Sequence, residues 1–335
     1  MNKLSKLGVS ALCGSLAAVS AAYAGDLSAT GSAQVTWMSK DDAVTGNPIG
    51  MNSGFGLKGD GELDNGWSMA FAIAHTDAGA YSNANITLGI PGFGDLRIDQ
   101  GTTGTGLQRM DDLTPSAWEE ADGAGQAIGK TGISGITGGA NIQIENFDAQ
   151  PDGLAIVVAY TKDADSSSSV AEKGTGGDSG IRGSGFDLSL TATDGLHGMA
   201  GLTVYGGLSQ VDQYQNTSTV NGDKEETVIG FKYAAGGFTV GYQQNDQDTG
   251  LTAATSYETT AYSVVFAVND DLSVSYGHVE SEKQGDTDTA EADSFQAAYT
   301  MGGATFAIAE TQADNISYTA TNNKDSTTVS LSLAF

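Results

Sequence analysis

Phe55-Gly56-Leu57-Lys58-Gly59-Asp60-Gly61-Glu62-Leu63 is the stretch on which the fold turns. In a β-strand successive side chains point to opposite faces, so Phe55, Leu57 and Leu63 share one side while Lys58, Asp60 and Glu62 share the other. Three charges at every second position cannot pack into a dry core. They mark a wet wall, and the opposite face is greasy.

The same period-two pattern recurs to the last residue. Trp67, Met69, Phe71 and Ile73 alternate with small or polar residues, and Ala84, Ile86, Leu88 and Ile90 follow on the next strand. Leu154/Ile156/Val158/Tyr160, Phe186/Leu188/Leu190, Ile229/Phe231/Tyr233, Tyr262/Val264/Phe266 and Val329/Leu331/Leu333/Phe335 continue it. The whole series predicts about 16 strands. Their connections alternate in length. Short links at 64–66, 91–94, 235–237, 269–271 and 302–303 alternate with longer ones at 39–50, 100–138, 162–185, 211–225, 245–255, 279–292 and 311–325. A soluble sandwich has no reason to put short turns on one rim and long loops on the other, whereas a membrane barrel does. Aromatic residues near strand ends, among them Trp37, Trp67, Phe93, Tyr160, Phe186, Tyr233, Phe238 and Tyr299, read as interfacial girdles.

Composition agrees. With 47 glycines and 4 prolines the chain favours strands and turns, and after the N-terminus no apolar run approaches the length of a membrane helix. Mean hydropathy is −0.18. Lipid leaves only helices or a closed barrel as spanning structures, so a closed barrel is expected. The N-terminus is read as an export signal over 1–24: Lys3 and Lys6, a small-residue apolar run to Ala22, then Ala22-Tyr23-Ala24 before Gly25. Residues 25–335 then form one barrel domain without cysteine, since Cys13 falls in the signal. The formal charge of −27 argues against nucleic acid as a partner.

Three features carry a family resemblance. Thr327-Thr328-Val329-Ser330-Leu331-Ser332-Leu333-Ala334-Phe335 ends the chain on a phenylalanine, Gly92-Phe93-Gly94-Asp95-Leu96-Arg97-Ile98 forms a turn and strand, and the unusually long 100–138 connection is third on its rim. In these the chain resembles the Gram-negative general diffusion porins of the 16-stranded trimeric type, looking closest to alphaproteobacterial ones. The resemblance implies an all-β, transmembrane, antiparallel up-and-down barrel whose long third outer loop folds into the lumen. It also implies passive diffusion of small hydrophilic solutes, a homotrimer in contact with the lipid bilayer and lipopolysaccharide, and Phe335 as the signal read by the outer-membrane assembly machinery. One departure stands out: the second long-rim connection, about 77–80, is too short for the latch such porins extend to a neighbouring subunit.

The lumen of a barrel this wide is water-filled, so whatever narrows it sets selectivity. The third loop carries Arg109, Asp111, Asp112, Glu119, Glu120 and Asp122, and Thr114-Pro115-Ser116-Ala117-Trp118-Glu119-Glu120 has the cap, proline and first-turn acids of a short helix. On the wall Lys58, Asp95, Arg97 and Asp99 point inward by alternation. Loop acids facing wall bases would set a transverse field, and the excess of acid predicts mild cation selectivity. Against this stands the plainer reading that the acids only solvate an exposed loop. Clustered carboxylates suit Ca²⁺, but no spacing assigns it and no cofactor is required. The histidines offer no enzyme: His75 and His278 are expected near long-rim strand ends and His197 in a short turn, none beside a motif-like nucleophile. Two alternatives stay open, a substrate-selective channel and a plugged barrel serving as adhesin or structural protein.

Overall fold

The computed structural model describes residues 26–41, 46–76, 80–100, 104–165, 180–214, 219–253 and 256–335. The expected export signal lies outside them. The described residues form β1 (Leu27–Lys40), β2 (Ile49–Glu62), β3 (Ser68–Thr76), β4 (Ala80–Ile90), β5 (Gly94–Asp99), β6 (Asn141–Glu145), β7 (Leu154–Thr161) and β8 (Arg182–Ala192). They continue as β9 (Leu202–Gln213), β10 (Lys224–Ala235), β11 (Phe238–Asp248), β12 (Ser256–Ala267), β13 (Leu272–Lys283), β14 (Ala290–Met301), β15 (Ala304–Asp314) and β16 (Lys324–Ala334). Each strand pairs antiparallel with its sequence neighbours, and β16 returns to β1, so the sheet closes as a barrel with no free edge. At the seam Gly31 N–H donates to the Phe335 carbonyl at 2.7 Å, and Phe335 N–H donates back to the Gly31 carbonyl at 2.9 Å.

Register proves the two-faced reading. Asp60 pairs with Ala70, Ala70 with Thr87, Thr87 with Arg97 and Arg97 with Gln143. The row runs on through Ala159, Asp187, Ser209, Glu226 and Gln247. Paired residues share a face, so this is one continuous polar row around the inside. The opposite face is apolar: Trp37, Phe55, Phe71, Ile229, Phe238 and Phe306 are among its exposed side chains. In a soluble protein such a surface would be unstable, but against lipid it is the stable side.

Short connections at 63–67, 91–93, 236–237 and 302–303 lie on the rim that holds Leu27, the start of β1, and Ala334, the end of β16, and longer ones such as 100–140 and 315–323 lie on the other. The 100–140 connection, loop 3, folds inward. All three buried apolar clusters found among the described residues contain its side chains: Leu107, Met110 and Ile133 with Tyr205 and Val228; Ala121 and Ile128 with Val279 and Ala292; Ile136 with Ala159 and Val211. The core of this barrel is therefore the seam between loop 3 and the inner wall.

Two expectations are corrected. His278 sits in the middle of β13, not at its rim end, and faces outward, stacked on Tyr262 at 4.8 Å with Nδ1 2.9 Å from Asp293 Oδ1. Its height was missed because strand ends are poorly marked in sequence. The helix expected over 114–120 does not form either. The helical piece of loop 3 is a 3₁₀ turn at Gly106–Met110, and the cause of the difference lies in how the loop is held.

Candidate pore constriction

Ordering a long loop costs about 1–2 kcal/mol per residue in backbone entropy, so loop 3 needs dense compensation. The inner wall supplies it through polar side chains that accept the loop's backbone N–H groups. Leu113 N–H donates to Gln243 Oε1 at 3.1 Å, Ala117 N–H to Ser275 Oγ at 3.0 Å, and the N–H groups of Trp118 and Glu119 both to Gln296 Oε1 at 3.1 Å. Gln126 N–H reaches Ser326 Oγ on β16 at 2.8 Å. The outgoing limb thus walks along β11, β13, β14 and β16. These wall acceptors, with Gln296 Nε2 donating back to the Glu119 carbonyl at 2.8 Å, take the place of the i to i−4 bonds of a helix. That is why the helix signature of 114–120 yields to extended, bent chain.

Two wall carboxylates fasten the neck of the loop. Asp187 Oδ2 accepts Leu107 N–H at 2.7 Å from the outgoing limb and Ile136 N–H at 3.2 Å from the returning one. The residues just before them are Gly106 and Gly135, with φ of +52° and +54°, and a Cβ on either would stand 1.9 and 2.4 Å from that same oxygen. Glycine is demanded there by both backbone and space. On β10, Glu226 accepts Ser134 N–H at 3.1 Å and Gly135 N–H at 2.6 Å, while Lys224 pairs with Glu226 at 2.9 Å and donates to Ser134 Oγ. Asp187, Lys224, Glu226, Gln243 and Gln296 were not singled out in the sequence. Their partners lie far away along the chain, and a lone polar residue on the inner face of a strand looks like any other.

The expected site residues fall into three groups. On β5, Arg97 Nη2 pairs with Asp99 Oδ2 at 2.9 Å, and Asp95 accepts Asn146 Nδ2 at 2.7 Å. Arg109, on the loop, pairs with wall residue Glu145 at 3.1 Å and donates to Gln143 Oε1 at 2.6 Å. Lys58 stands exposed on the inner face of β2. The acids of loop 3 gather around a base of the same loop: Lys130 Nζ lies 3.4 Å from Asp112 and 3.5 Å from Asp122. Burial alone would lower the Lys130 pKa, but Asp122, Asp112 and Asp111 hold it above its ordinary value. Burial, then the charge of Asp112, push the Asp111 carboxyl up to about 7. Burial also raises Asp122, against the pull of Lys130. Glu119 is raised by burial and by its neighbour Glu120, and among the described residues neither glutamate forms an ion pair. The ion pairs therefore run within the loop, within β5, and from loop base to wall acid, rather than from loop acids to wall bases. No group of three or more His, Cys, Asp and Glu side chains among the described residues is arranged to hold a metal ion.

This arrangement can sort solutes by size and charge. A sequence profile of the Gram-negative porins matches residues 8–315. No curated protein sequence matches the chain. Among solved structures it is similar to OmpF of Salmonella typhi in complex with daunomycin, at a TM-score of 0.69 and 12% identity over 93% of this chain and 98% of that one. It is similar also to in-vitro folded OmpT of Vibrio cholerae in a trimer form, at 0.64 and 11% over 93% and 100%. A mutant porin of Rh. blastica gives 0.60 and 14% over 92% and 100%. At these identities the likeness is one of fold, and the profile carries the rest: with its match running through all but the last strand of a barrel that closes in the same way, this chain belongs to the Gram-negative porins.

Proposed function

We propose that this porin admits small hydrophilic solutes and ions by passive diffusion with a mild preference for cations, and that it works as a homotrimer. Membership of the family makes it a non-enzymatic diffusion channel of the bacterial outer membrane. The observation that carries the finer reading is the course of loop 3. Its outgoing limb keeps to the inner wall from β11 to β16, leaving the β1–β5 side, with Lys58 and Asp60, facing open lumen. In this reading the eyelet lies between Asp112, Glu119 and Glu120 on the loop and Lys58, Asp95, Arg97 and Asp99 on the wall. Arg97, Arg109 and Lys130 are each already matched by an acid, so the unmatched Glu119 and Glu120 tip the local balance toward cations.

Strand length supports the trimer. β5 has six residues and β6 has five. Six residues rise about 20 Å, and a tilt of roughly 40° cuts that to about 15 Å, short of the apolar band of about 25 Å that a lipid-facing wall needs. The outward side chains there are aliphatic, Ile86, Leu96, Ile98, Ile142 and Ile144, while aromatics crowd β10–β15. A low aliphatic wall suits a second copy of the chain better than lipid, and the Vibrio cholerae OmpT structure is titled as a trimer. Export by a cleaved signal at 1–24, and recognition of Phe335 by the assembly machinery, complete the proposal. Liposomes containing the protein and challenged with neutral sugars of increasing size test it. Swelling that falls smoothly with sugar size is expected, whereas swelling confined to one sugar would favour a substrate-selective channel.

A further inference from the structure

Loop 8, residues 315–323 between β15 and β16, does not stand off the rim as a surface loop. It leans into the barrel. Ile316 is buried in one cluster with Ile128 and Ala121 of loop 3 and with Val279, Ala290, Ala292 and Ala313 of the wall. Ser317 N–H donates to the Ile128 carbonyl at 2.8 Å, so loop 8 bonds the far bend of loop 3 directly. Beyond that contact Tyr318 crosses the inner faces of two further strands. Its hydroxyl lies 3.0 Å from Ser281 Oγ on β13, its ring centre 5.9 Å from that of Tyr257 on β12, and Lys283 Nζ sits 5.4 Å above it. Asn315 Nδ2 donates to the Thr289 carbonyl at 3.0 Å, tying the base of the loop to the β13–β14 connection.

The backbone bears the cost of this inward course. Asn315, Ser317, Tyr318 and Thr321 all have left-handed φ, at 50°, 57°, 57° and 61°. Asparagine tolerates that region, but serine, tyrosine and above all β-branched threonine do not adopt it unless surrounding contacts impose it. Here the surrounding contacts are with loop 3 and the inner wall. The neck of loop 3 has its own fastening at Asp187 and Glu226, and loop 8 is the corresponding fastening at the bend.

We infer that loop 8 is a working part of the constriction: it narrows the lumen above β12 and β13 and pins the bend of loop 3, so that it helps set the size limit of the channel. This rests on the diffusion-channel reading above. The experiment replaces residues 316–321 with glycine and serine and, separately, makes Ile128→Ala, Ile316→Ala and the double variant. Folding is checked by circular dichroism, and single-channel conductance and exclusion of polyethylene glycols of graded size are measured in planar bilayers. The replacement should raise conductance about twofold and admit larger polymers, as for removal of a constricting element. Each alanine variant should increase open-channel noise, with the double variant no noisier than either single one, because both break the same contact. Unchanged conductance and polymer limit in a folded replacement variant overturn the inference and leave the diffusion reading intact. A wild-type protein that gives no steps at all overturns the diffusion reading and this inference with it.

Discussion

A carboxylate half sunk into protein gives up its proton late, and this decides how the eyelet should respond to pH. Asp111 titrates near 7, and Glu119 and Asp122 are raised above the usual carboxylate range. An acid with a raised pKa is neutral below that value, so the negative charge of loop 3 shrinks as pH falls through about 7. Reversal potentials under a salt gradient should therefore show a weaker cation preference at pH 5 than at pH 8. A preference that holds steady or grows on acidification would contradict this. Glu119→Gln with Glu120→Gln should reduce the preference already at pH 8, leaving conductance within about twofold, because the two side chains carry charge into the eyelet without an ion-pair partner. At this scale the sequence was half legible. Arg97, Arg109 and the loop acids could be read from inward alternation and loop position. Who pairs with whom could not, because Lys130 meets Asp112 and Asp122, and Arg109 meets Glu145, only through the path of the loop.

Loop 3 was legible as an element and illegible as a path. Its length and rank among the long connections matched it to the third loop of the porins, and that resemblance implied its entry into the lumen. Its conformation followed the wrong signal, since the cap and proline at Thr114-Pro115 are local features and the bonds to Ser275 and Gln296 are not. The neck shows the same limit: Asp187 sits in a strand whose alternation says only that it points inward, yet it holds both limbs of the loop. Asp187→Ala removes the acceptor of two buried N–H groups, each bond to a charged partner being worth about 1.5–3 kcal/mol. The variant should keep its barrel but lose loop order, seen as noisier open-channel current and faster proteolysis within 104–140 than in the wild type. Current as quiet and cleavage as slow as in the wild type would show that Asp187 is not the fastening.

For the whole molecule, the strand count and the closed sheet came directly from period-two alternation and loop lengths, since those are the terms in which lipid constrains a barrel, whereas the reading of Phe335 rested on the family resemblance. The height of the wall was less visible, because strand ends drift by several residues in any sequence reading. Once β5 and β6 are known to be short, the aliphatic patch around Ile98 and Ile142 becomes the expected contact between copies. Ile98→Arg with Ile142→Arg should convert the detergent-solubilised protein from trimer to monomer by sedimentation, and retention of trimer mass would remove this face from the interface. The central claim, an open and mildly cation-selective water-filled pore, is met most directly by single-channel recording of the purified protein in a planar bilayer with the reversal potential taken under a salt gradient. Large, stable steps with a potential of cation-favouring sign are expected, whereas a folded barrel that leaves the bilayer silent, or steps that favour anions, would contradict the account.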